Sequence, residues 1–259
     1  MKAISVHIIN KTYLAILLVG LLFKTSLAYG SEPPIVFVAE QLPPYHYVNQ
    51  QGQTTGAFVE VIHALLHQAE LKGSVKIQPF ARSFKAAVNQ PNTFLISLLN
   101  TPSRKDAFQW VGKIYQSYAV LVGLKNRDIN HLSTLEDAKP YIIGTIRGYH
   151  SASFLIDHGF TEQENLSLSV TSKHMWGMLF NQRIDFVMTN YIALDRDIVR
   201  AGFNANDIKP YIFLYKFPNE LNIATGLLTS NALVEKLSQA LVTIKQNGEY
   251  QKIMEKYDL

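Results

Sequence analysis

The stretch IVFVAEQLPPYHYVNQQGQTTGAFVEVIHALLHQAEL, residues 35–71, sets the architecture of this chain. It begins with a short apolar run that ends at a Pro-Pro turn, which predicts a buried strand. After Gly56, apolar side chains recur at helical spacing, and Gly73 supplies a stop, which predicts an amphipathic helix. A buried strand followed by a helix is the first unit of a largely parallel sheet covered by helices.

This alternation of strand and helix continues in two separate units. In the first unit, strand patterns at 74–78 and 93–98 flank a short helical pattern at 82–88. The second unit repeats the alternation from Tyr141 to Ala201. We therefore expect an α/β fold with two lobes, each a mostly parallel sheet flanked by helices.

Extended segments mark the candidate crossings between the two units. One segment runs from Ser117 to Leu124, and the other is a returning pair, 211–215 followed by 221–228. The last stretch has apolar residues on one helical face and returns after the second unit. We expect this tail to dock on the first unit.

The first 28 residues have the pattern of a secretory signal peptide. Lys2 gives a basic start, residues 13–23 are an unbroken apolar run, and Ser26 and Ala28 supply small residues at a cleavage site. A helix across a bilayer needs roughly 20 apolar residues, so this run is short for an anchor. We expect export, cleavage near residue 28 and a periplasmic mature protein. A retained membrane anchor is the alternative.

The composition restricts the partners and the chemistry. Lys2, Lys11 and Lys24 account for three of the 24 basic side chains, so the rest nearly balance the 20 acidic ones. That balance gives no basic surface for nucleic acid or an anionic membrane, and a small-molecule partner is expected. The chain has no cysteine, which excludes disulfides, thiol nucleophiles and cysteine-ligated metals. His63 and His67 share a helix face without a third ligand, so we expect no metal.

Several short phrases stand in a definite order along the chain. They are LPPY at 42–45, PFAR at 79–82, TPSR at 101–104, IGTIRG at 143–148 and NGEY at 247–250. Their order and spacing resemble the type II periplasmic solute-binding proteins, in the family that binds polar amino acids for ABC importers (family 3). The resemblance covers about residues 33–259.

The resemblance implies a type II periplasmic-binding-protein fold, in which two hinge strands join lobes that close over a ligand. Lobe one would hold residues 29–120 and 217–259, and lobe two residues 121–216. The implied protein is a monomeric binder without catalytic residues or cofactor, which passes a small polar, carboxylate-bearing ligand to an ABC permease. Two alternatives stay open: a soluble sensor for a membrane receptor, and a dehydratase-like enzyme with Glu40 or His150 as acid or base.

In lobe one, the resemblance assigns charged residues to the ligand. Arg104 matches the arginine that holds a ligand carboxylate, for which a guanidinium fork is suited. Thr101 would add a hydroxyl or backbone contact, and Arg82 would favour a second acidic group. The structural alternatives are an ion pair between Arg104 and Asp106 and a solvated Arg82.

Aromatic and acidic candidates complete this lobe. Tyr45 and Phe80 stand where relatives offer a ring to the ligand. Glu40 follows the first strand, at the carboxyl end where open α/β sheets bind ligands, and would hold an ammonium. Core packing of the rings and a solvated turn acid are the alternatives.

Lobe two departs from the amino-acid pattern. Asn190 stands where the family presents an aspartate to the ligand's α-ammonium, and an amide cannot neutralise that charge. Tyr149 replaces a small hydroxyl residue, with Arg147 before it, and Gly148 would offer backbone N–H groups to an anion. The pattern favours a ligand other than an ordinary α-amino acid.

Overall fold

The computed structural model describes residues 33–129 and 132–259, so the predicted leader lies outside the described residues. The strands are β1 Ile35–Ala39, β2 Tyr47–Val48, β3 Thr54–Thr55, β4 Gly73–Ile77, β5 Thr93–Leu99, β6 Gln109–Gln116, β7 Ala119–Leu124, β8 Ile143–Ile146, β9 Leu166–Ser169, β10 Phe186–Asn190, β11 Ile208–Phe213 and β12 Glu220–Thr225. The helices are α1 Ala57–Gln68, α2 Phe80–Asn89, α3 His150–Asp157, α4 Ser172–Phe180, α5 Leu194–Ala201, α6 Asn231–Gln246 and α7 Glu249–Lys256. Within these two ranges, no helix combines the length and apolarity needed to cross a membrane.

The first five-stranded sheet has the order β4-β1-β5-β12-β6. β1 is parallel to β4 and β5, whereas β12 is antiparallel to β5 and β6. Successive residues of a strand point to opposite faces, so Phe37 joins the core under α1, α6 and α7, and Val38 joins the core under α2. On α1, Phe58, Ile62 and Leu65 recur at helical spacing and are fully buried against this sheet.

The second five-stranded sheet has the order β11-β7-β10-β8-β9. β8 is parallel to β9 and β10, whereas β7 is antiparallel to β10 and β11. Phe186 and Val187 are neighbours on β10 and enter two separate cores, one with Leu155 of α3 and one with Trp176 of α4. Each sheet therefore has helices on both faces, as the alternation in the sequence predicts.

The chain crosses between the sheets twice. It leaves the first sheet after Gln116 and enters the second at Ala119, which lies before the boundary expected at residue 120. It returns after β11, and the N–H of Ser117 donates to the carbonyl oxygen of Asn219 at 2.8 Å, which joins the two crossings. The expected returning pair is not a pair of partners, because β11 bonds to β7 and β12 bonds to β5 and β6.

Candidate functional site

A cleft of about 720 Å³ lies between the two sheets, a size that suits a small molecule. Its walls come from the carboxyl ends of parallel strands in both sheets, where open α/β sheets place their ligands. From the first sheet the lining includes residues after β1, β4 and β5, and from the second it includes residues after β8, β9 and β10. Both crossings contribute, through Ser117 and Phe217 among others.

Arg104 lines this cleft without an anionic partner. It forms no ion pair with an Asp or Glu of residues 33–129 and 132–259, so the alternative pair with Asp106 is not formed. Its Nη1 donates weakly to the carbonyl oxygen of Leu99 at 3.5 Å, and its guanidinium lies 5.5 Å from the ring centre of Phe84. Burial lowers the pKa of Arg104, because the charged form loses hydration. A half-buried guanidinium in this state is suited to a ligand anion.

Glu40 and Tyr149 meet across the cleft. The hydroxyl of Tyr149 donates to Oε1 of Glu40 at 2.8 Å, and the ring of Phe80 packs edge-on against Tyr149 with centroids 4.9 Å apart. Burial raises the pKa of Tyr149 well above its ordinary value, and the neighbouring Glu40 carboxylate raises it further. The first and second sheets are thus joined by a hydrogen bond at the place where a ligand would lie.

Asn190 presents a donor to the cleft. Its Oδ1 accepts from the N–H groups of Ile192 at 3.0 Å and Ala193 at 3.3 Å, and from the hydroxyl of Tyr45 at 3.3 Å. Since N–H groups only donate, these contacts fix the orientation of the amide and leave its NH₂ group for a ligand. Tyr45 is fully buried, stacks on Phe58 at 4.5 Å and does not line the cleft itself.

Besides Tyr45, four of the candidate residues do not line the cleft. Arg82 is exposed on α2, and Thr101 is buried within the loop after β5. Arg147 is exposed and forms an ion pair with Glu162 at 2.8 Å. Gly148 is exposed and turns the chain with a φ of 85°. The structure therefore brings together Arg104, Phe80, Glu40, Tyr149 and Asn190, with Tyr45 supporting Asn190 from behind.

Asp197 is a cleft residue that the sequence reasoning missed. Its buried carboxylate accepts from Nε1 of Trp176 at 2.7 Å and from the hydroxyl of Ser172 at 3.0 Å. Burial raises the pKa of Asp197, although both hydrogen bonds oppose that rise. A signal was present, because Asp197 shares the apolar face of α5 with Leu194 and Ile198.

Two arginines of α5 also contact β2 and the segment that follows α7. Nη1 of Arg200 donates to the carbonyl oxygen of Val48 at 3.1 Å, and Arg200 lines the cleft. Nη1 of Arg196 donates to the carbonyl oxygen of Tyr257 at 3.0 Å, and its Nη2 pairs with Asp258 at 3.1 Å. These exposed contacts add to the hydrogen bond between Glu40 and Tyr149.

A small-molecule cleft between two mostly parallel sheets, joined by two crossings, defines a two-lobed binding protein. Residues 35–258 match the family described as bacterial extracellular solute-binding proteins, family 3, and the chain belongs to that family. Three predictions from the sequence are confirmed: the resemblance to family 3, the α/β fold and the solute-binding role.

Curated relatives cover nearly the whole chain at low identity. The arginine-binding periplasmic protein of Mannheimia haemolytica is 23% identical over 227 residues, covering 86% of this chain and 90% of that protein. The histidine-binding periplasmic protein of Escherichia coli (strain K12) is 22% identical over 259 residues, covering 96% of each.

Solved structures share the fold. A histidine kinase sensor domain with similarity to periplasmic binding proteins superposes with a TM-score of 0.78 at 17% identity, covering 87% of this chain and 96% of that domain. An ancestral arginine-binding protein bound to arginine superposes with a TM-score of 0.74 at 21% identity, covering 86% of this chain and 96% of that protein. At these identities the likeness concerns the fold alone.

Proposed function

We propose that this protein captures a small, carboxylate-bearing polar solute in the cleft and delivers it, as a periplasmic monomer, to an ABC permease. The observation that carries the proposal is the guanidinium of Arg104, half-buried and unpaired among the described residues, on the wall of the cleft. Relatives named for binding arginine and histidine support it, since both of those solutes bear a carboxylate. Membership of family 3 supports an ABC permease as the partner.

We propose that the two lobes, residues 29–120 with 217–259 and residues 121–216, separate to admit the solute and close over it. Closure would exclude water, which strengthens a charge-assisted hydrogen bond to Arg104.

Native mass spectrometry of the protein from periplasmic extract tests the proposed function directly. A retained small carboxylic acid is expected, whereas a retained solute without an acidic group would contradict the proposal.

We further propose binding without turnover. Glu40 and His150 both line the cleft, but the Glu40 carboxylate already accepts from Tyr149, which occupies one of the two groups that could act as acid or base. The retained solute should therefore be recovered unchanged after long incubation with the protein. Its conversion to a product would favour the dehydratase-like alternative.

Export should remove the predicted leader. The basic start, short apolar run and small residues at Ser26 and Ala28 predict cleavage near residue 28. N-terminal sequencing of protein from the periplasmic fraction should begin between Tyr29 and Glu32. A membrane-bound product that retains Met1 would contradict this prediction.

Ordinary α-amino acids should bind weakly. An ammonium beside Asn190 would meet a neutral amide in place of a carboxylate, and a buried ammonium without an adjacent counter-charge is costly. A thermal-shift screen should favour carboxylates, dicarboxylates or modified amino acids. Asn190→Asp is the matched variant, since a carboxylate there should raise the affinity for α-amino acids by tenfold or more. Micromolar binding of an unmodified neutral or cationic amino acid by the natural chain would disprove the prediction.

A further inference from the structure

His46 is fully buried and lies behind the part of the cleft that the first sheet forms. It contacts two residues that line this part of the cleft, Glu40 and Ser97. Its Nδ1 lies 2.7 Å from the backbone carbonyl oxygen of Glu40, and its Nε2 lies 2.7 Å from Oγ of Ser97. A carbonyl oxygen only accepts hydrogen bonds, so Nδ1 must carry the proton. The tautomer of the ring is thereby fixed.

The ring is also neutral under ordinary conditions. Burial lowers the pKa of His46, because an imidazolium would lose its hydration, and this outweighs the opposing effect of Glu40. In the neutral ring with Nδ1 protonated, Nε2 is an acceptor. The hydroxyl of Ser97 must therefore donate its one proton to His46 and keep only lone pairs for other partners.

The acceptor character of Ser97 matters because Ser97 lines the cleft, whereas His46 does not. The Glu40 carboxylate, which lines the same wall and already accepts from Tyr149, is an acceptor as well. Ser97 and Glu40 together form an acceptor-only region. Arg104 and the NH₂ group of Asn190 supply donors elsewhere in the cleft.

We propose that His46 is a positioning residue that fixes Ser97 as a hydrogen-bond acceptor, so that the solute carries an O–H donor in addition to its carboxylate. This inference rests on the proposed function and narrows its substrate class. An acid with only acceptor groups would face the lone pairs of Ser97 and Glu40 with no hydrogen to share. The hydroxyl of a hydroxy acid would supply that hydrogen.

The tautomer can be tested without any ligand. Two-bond ¹⁵N–¹H correlation spectra of the natural chain at neutral pH should show His46 neutral, with its proton on Nδ1. His46→Phe identifies the signal by its loss, and Ser97→Ala, which removes the partner of Nε2, identifies it by its shift should the first variant fail to fold. A charged ring, or a neutral ring protonated on Nε2, would overturn the inference and leave the proposed function standing.

Matched acids test the consequence for the solute. The probes are three pairs that differ only in a hydroxyl or a keto oxygen: malate and oxaloacetate, lactate and pyruvate, and 2-hydroxyglutarate and 2-oxoglutarate. Calorimetry should show the hydroxy member of the best-bound pair favoured by about tenfold or more, the size of effect expected when a buried polar group loses its partner. Ser97→Ala should remove the preference.

The His46 variant separates positioning from contact. In His46→Phe the Ser97 hydroxyl is free to turn and donate, so the keto member should gain affinity relative to its hydroxy partner. His63→Phe should leave the preference unchanged. Equal affinity for both members in the natural chain would overturn this inference alone, whereas failure of every acid in the natural chain would overturn the proposed function and this inference with it.

Discussion

Arg104→Ala should weaken binding of the retained solute by well over tenfold. Truncating one partner of a buried charged pair costs about 2–5 kcal/mol, and ~1.4 kcal/mol corresponds to tenfold in affinity. The structure supports a large effect, because Arg104 pairs with no carboxylate of the two described ranges and its charge is therefore available to a ligand anion. Isothermal titration of both proteins with the solute measures the difference.

Two further variants give the Arg104 result its meaning. Arg104→Lys should restore only part of the affinity, since an ammonium cannot reproduce the bidentate fork of a guanidinium. Arg82→Ala is the matched control, because Arg82 is exposed and outside the cleft. The melting temperature of the ligand-free protein should change little in Arg104→Ala, since within the two described ranges the Arg104 side chain forms one hydrogen bond, the weak contact to Leu99. Unchanged affinity in Arg104→Ala would contradict the proposed anchor.

The fold could be predicted where one physical signal dominated. The first strand has the same ends in the sequence and in the structure, Ile35 and Ala39, because an unbroken apolar run meets a Pro-Pro turn there. The strand Gln109–Gln116 had no such signal. It is an edge strand with a mixed pattern of burial, it carries Lys113, and Gly112 interrupts it at a φ of 153°.

The cleft could be predicted only in part, for a geometric reason. Glu40 and Asn190 stand at the carboxyl ends of β1 and β10, and the rule for open α/β sheets places such residues at the cleft. Arg147 also follows a strand, but Glu162 lies close enough to pair with it on the exposed side. The sequence alone does not predict which carboxylate, distant along the chain, will form an ion pair with an arginine in a loop.

The second large effect is on stability: Gly56→Ala should lower the free energy of unfolding by about 3 kcal/mol. Gly56 precedes α1 with φ 124° and ψ 163°, a conformation that is costly for any residue with a Cβ. A Cβ there would also lie 2.5 Å from the carbonyl oxygen of Tyr45 and 2.9 Å from the backbone nitrogen of His46. Both obstacles are backbone atoms, so no side chain can turn aside to make room.

Two glycine variants separate the causes of the Gly56 effect in thermal or urea unfolding. Gly202→Ala places a Cβ in open space at a φ of 93° and should show the conformational cost alone. Gly177→Ala lies within α4, where the added Cβ would be 4.0 Å from the nearest side-chain atom, and should be neutral or stabilising by up to ~1 kcal/mol because alanine favours helix.

Relief of the Gly56 clash requires a shift of the turn that holds Tyr45 against Asn190 and His46 against Ser97. Gly56→Ala should therefore weaken solute binding as well. If Gly56→Ala lowered the free energy of unfolding no more than Gly202→Ala does, the clash with backbone atoms would be refuted as the cause of the Gly56 effect.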